Sequence, residues 1–283
     1  MSLFFSEDYE HADVQIRFEI KEILFSERSQ FQKIEVFKSK FFGKMLVIDD
    51  ALMLTERDEF VYHEMIAHVP IFMHPNPRRV LVIGGGDGGT VRECLKHAAV
   101  EQIDLVDIDK MVSQVCLRFF PEIAMPLTTK RVRCQFEDGV AFVKNCAEKY
   151  EVIIIDSTDP VSVGEGLFTR EFYRDCSNIL TDDGILVNQS ESPAWQPNEV
   201  AAISQKLKSV FPKVYFYQAH TPTYLPGHWA FGFASKKHHP IDDFSAGSYQ
   251  KSQLFFKYYN AEVHKSAFAL PMFFRDLLAL KRE

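Results

Sequence analysis

A glycine-rich loop at residues 84–89 constrains the fold of this chain more than any other feature. The loop reads GGGDGG and directly follows an apolar run at residues 80–83. Glycines spaced as Gly84, Gly86 and Gly89 after a strand are typical of the turn that leads into a helix beside a bound nucleotide. The loop therefore predicts a strand, a tight turn and a helix in an α/β sheet.

Further apolar runs follow the loop, separated by helical stretches. They lie at residues 102–106, 131–135, 152–155 and 185–188. Short, continuously apolar strands are expected where helices cover both faces of a parallel sheet. The alternation predicts an α/β fold with a Rossmann-like, doubly wound and mainly parallel sheet.

The first fifty residues instead alternate between polar and apolar side chains. Alternating segments lie at residues 17–21, 33–38 and 44–49. They predict a small antiparallel sheet. The TERD segment at residues 55–58 is typical of a helix start, and Pro70 is expected to end that helix. We therefore predict an N-terminal antiparallel β domain at residues 1–54 and a Rossmann-like catalytic domain at residues 55–283.

The charge and cysteine content narrow the class of protein. A net charge of −7 argues against a nucleic-acid partner and is compatible with a cationic substrate. The five cysteines form no C-x-x-C pair, which predicts reduced thiols rather than disulfides or a zinc site. With no signal peptide and no membrane-spanning run, we expect a cytoplasmic protein without a membrane partner.

A carboxylate inside the glycine loop indicates the kind of ligand. Placed about 4 Å from a phosphate, the carboxylate of Asp87 would cost roughly 4 kcal/mol at an effective dielectric constant near 20. Beside an ammonium or sulfonium group the same charge is favourable. The loop therefore favours a nucleoside with a cationic tail over NAD.

More carboxylates stand where predicted strands end, at the edge of the sheet where ligands bind. Asp107 is placed to accept hydrogen bonds from ribose hydroxyls, whereas Asp109 could simply cap the next helix. Asp138 could accept from an adenine amino group or serve a local turn. Asp156 and Asp159 offer a base and a counter-ion for a diamine. The stretch at 157–167, which contains glycines, is predicted to be a mobile lid.

The spacing of the histidines in the sequence does not indicate a metal site. His63 and His68 are five residues apart, which differs from the H-E-x-x-H spacing and places them poorly on one helix face. We therefore expect no metal.

These elements together resemble the spermidine synthase family of aminopropyltransferases. The matching segments lie at residues 55–65, 84–89, 106–109, 138–139, 156–160, 221–224, 258–260 and 264–271. The resemblance extends over nearly the full chain. It implies a small N-terminal β domain followed by a Rossmann-like domain, assembled as a homodimer or homotetramer.

The resemblance also implies roles for individual residues. Decarboxylated S-adenosylmethionine would be held by Gln32, Gly84, Gly86, Asp87, Asp107, Asp138 and Gly139. In this assignment Asp87 takes the aminopropyl amine, Asp107 the ribose and Asp138 the adenine. Asp156 is the base for the attacking amine, helped by Tyr62. The diamine would be bound by His63, Asp87, Asp156, Asp159, Gln189 and Tyr224.

The implied reaction transfers the aminopropyl group to putrescine, giving spermidine and 5′-methylthioadenosine, without a tightly bound cofactor or a metal. Met53 and His63 stand where many members carry Gln, and Asp107 where many carry Glu, which leaves the acceptor open. Cadaverine, agmatine and spermidine are further candidate acceptors. The sequence also leaves open an S-adenosylmethionine-dependent N-methyltransferase, an NAD-dependent oxidoreductase and an inactive scaffold, and Asp87 argues against the first two.

Overall fold

The computed structural model describes residues 3–9, 12–158 and 162–279. Its first part is an antiparallel sheet with the strand order β1-β2-β3-β4-β5. The strands are β1 (Leu3–Tyr9), β2 (Val14–Arg28), β3 (Lys33–Ser39), β4 (Lys44–Ile48) and β5 (Ala51–Thr55). Phe5, Phe18, Phe37 and Met45 form part of a small core on this sheet. The predicted antiparallel sheet is confirmed, although β1 and β5 were not predicted.

The second sheet has seven strands in the order β11-β12-β10-β9-β6-β7-β8. They are β6 (Arg79–Gly84), β7 (Gln102–Asp107), β8 (Val132–Phe136), β9 (Tyr150–Asp156), β10 (Leu180–Gln189), β11 (Lys213–His220) and β12 (His228–Ser235). Strands β6 to β10 run parallel, whereas β12 is antiparallel to both β10 and β11. The predicted doubly wound, mainly parallel sheet is confirmed. Its extension by strands β12 and β11, which are joined by antiparallel pairing, was not predicted.

Helices cover both faces of the second sheet. They are α1 (Glu59–Met73), α2 (Gly89–Leu95), α3 (Lys110–Phe119), α4 (Pro121–Ala124), α5 (Gly139–Asn145), α6 (Arg170–Ile179), α7 (Pro197–Lys208), α8 (Ala246–Ser252), α9 (Ala261–Ala267) and α10 (Met272–Ala279). Val80 and Val82 pack into the core on one face, and Leu81 and Ile83 into the core on the other. This double burial explains why the strand reads as continuously apolar. Within the described ranges, no helix is long and apolar enough to cross a membrane.

The prediction that Pro70 ends the first helix is wrong, because α1 continues through it to Met73. Proline lacks only its own N–H, and Ile66, Ile71 and Met73 are buried on either side of it. Packing of this apolar surface keeps the helix intact, and His74 N–H still donates to the Pro70 carbonyl at 3.1 Å.

The predicted helix start at residues 55–58 is also wrong, because Thr55 ends β5 and α1 begins at Glu59. The Thr55 hydroxyl donates to Asp58 at 2.6 Å. The other oxygen of Asp58 accepts from the N–H and hydroxyl of Thr223 at 3.0 and 2.7 Å. Asp58 thus ties the helix to a distant loop instead of capping it. β5 ends one residue beyond the predicted domain boundary, and the division into domains at that point stays a prediction.

Glu64 ties α1 to the C-terminal segment. This carboxylate is 1% exposed and accepts backbone N–H groups from Lys257, Tyr258 and Tyr259, each at 2.8 Å. Such hydrogen bonds to a charged acceptor are stronger than neutral ones. The segment is therefore held against the helix that carries Tyr62 and His63.

We expect Glu64→Gln to lower the free energy of unfolding by about 1–3 kcal/mol, because an amide cannot accept all these N–H groups equally well. Denaturant unfolding measures the change. Glu262→Gln, at an exposed position on α9, is the matched control. Equal stability of the two variants would show that Glu64 does not anchor the segment.

Candidate active site

A cavity of about 610 Å³ opens at the carboxyl ends of the parallel strands. Strands β6 and β9 lie side by side there, with Gly84 paired to Asp156, although they are far apart in sequence. This is the switch point at which open α/β sheets bind ligands, and the volume is typical of a small-molecule site. The small sheet closes the other side of the cavity through residues such as Leu46 and Met53.

All but one of the predicted site residues line this cavity. They are Gln32, Tyr62, His63, Gly84, Gly86, Asp87, Asp107, Asp138, Gly139, Asp156, Gln189 and Tyr224. Asp159 lies outside the described residues. The predicted lid is described only in part, and its residues Ser157, Gly164 and Leu167 also line the cavity. The mobility of the lid stays a prediction.

The glycine loop brings its backbone close to the Asp156 strand end. Gly84 and Gly85 have φ angles of 78° and 66°, which side-chain-bearing residues rarely adopt. A Cβ on Gly85 would lie 2.8 Å from Asp156 Oδ2, and one on Gly86 would lie 2.6 Å from Asp107 Oδ2. The loop therefore needs glycine both for its shape and to make room for two carboxylates.

Asp156 accepts two side-chain hydrogen bonds, from the Tyr62 hydroxyl at 2.7 Å and from Thr90 Oγ1 at 2.6 Å. Burial, followed by the negative charge of Asp87, raises the pKa of Asp156 above its usual range. A carboxylate with a raised pKa is a stronger base. Burial, and then Asp156, also raises the pKa of Tyr62 well above its usual value, so Tyr62 remains a donor.

The pKa of Asp87 is shifted in the opposite direction to that of Asp156, although both carboxylates line the cavity. One of the Asp87 oxygens accepts the Gly89 N–H at 2.7 Å and lies 3.3 Å from His63 Nε2. Burial alone would raise the pKa of Asp87. The charge and hydrogen bond of His63, the Gly89 N–H and the charge of Arg92 together outweigh burial and hold that pKa below its usual range. Asp87 is therefore a permanent anion.

His63 lies between two carboxylates. Its Nδ1 is 2.6 Å from Glu59 Oε2, and its Nε2 faces Asp87. Burial would lower the pKa of His63, but Asp87 and Glu59 raise it to about 10. The imidazole is consequently charged at neutral pH and donates from both nitrogens.

The second strand end carries the carboxylates Asp107 and Asp109, which have different tasks. Asp107 accepts N–H groups from Gly86 at 3.0 Å and from Asp109 at 2.8 Å, and burial raises its pKa to about 6. Asp109 accepts the Met111 N–H at 2.9 Å, so the prediction that it could cap the next helix is confirmed. Its second oxygen accepts from Gln32 Nε2 at 3.1 Å, which holds Gln32 beside the cavity.

Asp138 is exposed and accepts the Val140 N–H at 2.9 Å as the N-cap of α5. Asp138 therefore has the local turn role that the sequence left open, and it also lines the cavity. A carboxylate that accepts one N–H retains lone pairs for a ligand.

Sequence reasoning missed Gln196 and Trp229, which line the cavity together with the predicted Gln189. Gln189 and Gln196 donate to the two oxygens of Glu191 at 2.9 and 3.0 Å. The Trp229 indole N–H has no hydrogen-bond partner among the described residues. No local motif marks these positions, because the segments after β10 and around β12 meet only in the folded chain.

Among residues 3–9, 12–158 and 162–279, two clusters have donor atoms close enough for a metal, with the donor atoms of each cluster within 4.8 Å of one another. They consist of His63, Asp87 and Asp156, and of His74, Asp183 and His238. A histidine ligand needs a free nitrogen lone pair. His63 donates from both nitrogens, and His74 Nδ1 accepts the Asn76 N–H at 3.2 Å, which puts the ring proton on the nitrogen that faces Asp183. Neither arrangement suits a metal, and its absence stays a prediction.

The sequence divides into two segments that match known families. Residues 3–56 match the spermidine synthase tetramerisation domain, and residues 59–244 match the spermine/spermidine synthase domain. The chain belongs to the spermidine synthase family.

Curated relatives of this family support the assignment over the whole chain. The chain is 50% identical over 281 residues to the polyamine aminopropyltransferase of Clostridioides difficile, covering 98% of this chain and 99% of the relative. It is 48% identical over 278 residues to that of Alkaliphilus metalliredigens, covering 98% of each. The protein is therefore a transferase of the aminopropyltransferase class.

Solved structures of the family have the same fold. A spermidine synthase crystallised with the transition-state analogue AdoDATO superposes with a TM-score of 0.96 at 38% identity, covering 99% of this chain and 96% of the other. Spermidine synthase from Thermotoga maritima gives a TM-score of 0.95 at 38% identity, covering 99% and 95%. The small antiparallel sheet followed by the doubly wound sheet is thus the architecture of the family.

Proposed function

We propose that this enzyme transfers the aminopropyl group of decarboxylated S-adenosylmethionine to putrescine, forming spermidine and 5′-methylthioadenosine. One observation carries the proposal: Asp87 and Asp156 face one cavity, and their pKa values are displaced in opposite directions. Two carboxylates in different electrostatic environments take different roles. Asp87 suits a counter-ion for the aminopropyl ammonium, and Asp156 suits a base for the acceptor amine.

In the proposed reaction the acceptor amine loses a proton to Asp156 and attacks the methylene carbon next to the sulfonium. The N–C bond forms as the C–S bond breaks, and the electron pair stays on sulfur as a neutral thioether. Sulfonium is already a good leaving group, so the protein mainly supplies orientation and a base. Tyr62 and Thr90 fix the Asp156 carboxylate for this task.

The nucleoside is proposed to lie along the strand ends, with its ribose on Asp107 and its adenine near Asp138 and Gly139. Gln32, Gly84 and Gly86 would complete this half of the site. The diamine is proposed to extend past His63 and Asp156 toward Gln189, Tyr224 and Asp159. We further propose a homodimer or homotetramer, which the match to a tetramerisation domain supports, and a cytoplasmic location, with which the free cysteines agree.

A product assay tests the function directly. The enzyme is incubated with decarboxylated S-adenosylmethionine and, in turn, putrescine, cadaverine, agmatine and spermidine, and products are identified by mass spectrometry. We expect 5′-methylthioadenosine and spermidine from putrescine at the highest kcat/KM. Preference for another amine would reassign the acceptor. Methylated amine formed from intact S-adenosylmethionine would instead favour a methyltransferase.

A further inference from the structure

A row of alternating charges leads from the cavity into the interior of the protein. His63 contacts Asp87 on one side and Glu59 on the other, as described above. Arg92, on α2, makes a bidentate salt bridge to Glu59, in which Nη1 donates to Oε1 at 3.0 Å and Nη2 to Oε2 at 2.8 Å. The Arg92 Nε donates at 2.8 Å to Glu93, which is itself 1% exposed. The row fixes the position of the His63 ring by paired charges, not only by packing.

Each charged group around His63 in the described part of the chain affects its protonation in a defined direction. The carboxylates of Glu59 on α1, Asp87 in the glycine loop and Asp156 at the end of β9 favour the cation, and Arg92 on α2 opposes it. Tyr62 stays neutral because its own pKa is raised. The carboxylates prevail, since the pKa of His63 is raised to about 10 despite burial. His63 is therefore a cation throughout the neutral pH range.

This cation lies next to the place where the acceptor amine must lose its proton. The ligating atoms of His63, Asp87 and Asp156 all lie within 4.8 Å of one another. An amine hydrogen-bonded to Asp156 therefore approaches a fixed positive charge as well as its base. A nearby like charge disfavours the protonated form of an amine. Because the proton finally leaves to water, this repulsion increases the fraction of free, nucleophilic amine.

We propose that His63, kept as a cation by Asp87 and by Glu59, which Arg92 holds in place, drives the bound acceptor amine into its unprotonated form. Glu59 and Arg92 are then positioning residues for proton removal, and they act through His63 without touching the substrate. The inference rests on the proposed function, because it concerns the amine that attacks in that reaction. One acceptor proton leaves through Asp156, and no other reactant is required.

Glu59→Gln tests the inference, because it keeps the shape of the side chain and removes its charge. In nitrogen-15 spectra of the histidine rings, we expect His63 of this variant to lose its proton below pH 7, whereas in the wild type it stays charged well above pH 7. Turnover at pH 7 should fall about tenfold, as expected when one nearby cation is lost, and the deficit should shrink toward pH 10 as free amine becomes abundant. The KM for the nucleoside substrate should not rise, because no cation is added beside Asp87.

Glu262→Gln is the control, since it removes an exposed carboxylate on α9 that takes no part in the hydrogen bonds around His63. It should leave the His63 resonances and the shape of the pH profile unchanged. His63→Gln removes the cation itself and should reproduce the kinetic pattern of Glu59→Gln. It replaces Glu59→Gln in the kinetic test if Glu59→Gln does not fold.

A deficit in Glu59→Gln that stays constant from pH 6 to 10, or a raised KM for the nucleoside with normal turnover, would overturn the inference and leave the proposed function intact. Absence of aminopropyl transfer by the wild type would instead overturn the proposed function, and the inference with it.

Discussion

Asp156→Asn is expected to lower turnover by about 10²–10⁴-fold, the usual contribution of a general base. The acceptor amine arrives protonated at neutral pH, because alkyl amines titrate near pH 10, as lysine does. Asparagine keeps the shape and can still accept a hydrogen bond from Tyr62, but it cannot take the proton. The raised pKa of Asp156 makes the wild-type carboxylate a more effective base than an exposed one.

Steady-state kinetics from pH 6 to 10 measure this effect. Wild-type turnover should rise with pH as the free-amine fraction grows, and the variant should recover part of its deficit at high pH. Affinity for the nucleoside substrate is the internal control and should change little, since Asp87, Asp107 and Asp138 remain. Near-normal turnover of the variant at neutral pH would exclude Asp156 as the base and direct attention to Asp159 or Tyr62.

Asp87→Asn is expected to weaken binding of decarboxylated S-adenosylmethionine by about 10–100-fold, because a hydrogen bond to a charged group contributes about 1.5–3 kcal/mol. The variant also removes one of the two carboxylates that raise the pKa of His63, and Glu59 remains as the other.

Calorimetric titration measures the affinity. It is done at pH 7.5 so that Asp107, whose pKa burial raises to about 6, is ionised in both proteins. Asp182→Asn is a suitable control, because it removes the same charge from an exposed position near the start of β10. If Asp87→Asn binds as tightly as this control, the glycine loop does not recognise the aminopropyl group.

The strand-end carboxylates could be predicted because they follow from local patterns. Continuous apolar runs locate the parallel strands, and all parallel strands present their carboxyl ends at one edge. Asp87, Asp107, Asp138 and Asp156 therefore had to converge once the strands were recognised. The glycine loop added the second constraint, since it requires close backbone approach on the same edge.

Features that depend on contacts between distant segments could not be predicted. Asp58 looked like a capping residue, but its partner Thr223 is 165 positions away. Pro70 looked like a helix end, but burial of the surrounding apolar residues stabilises the helix beyond it. The charge of His63 depends on Glu59 and Asp87 together, and Asp87 reaches it only after the glycine loop has folded against α1. Local sequence carries none of this information.

The contact between Glu64 and the backbone of residues 257–259 also has a consequence for how the protein matures during translation. Glu64 directly follows Tyr62 and His63 in α1, while its partners lie 193 to 195 positions later and leave the ribosome after it. A nascent chain that already contains every proposed catalytic group would still lack the segment that anchors their helix. Domains generally fold as units during synthesis, so we expect the active site to become functional only after residues 257–259 have been synthesised.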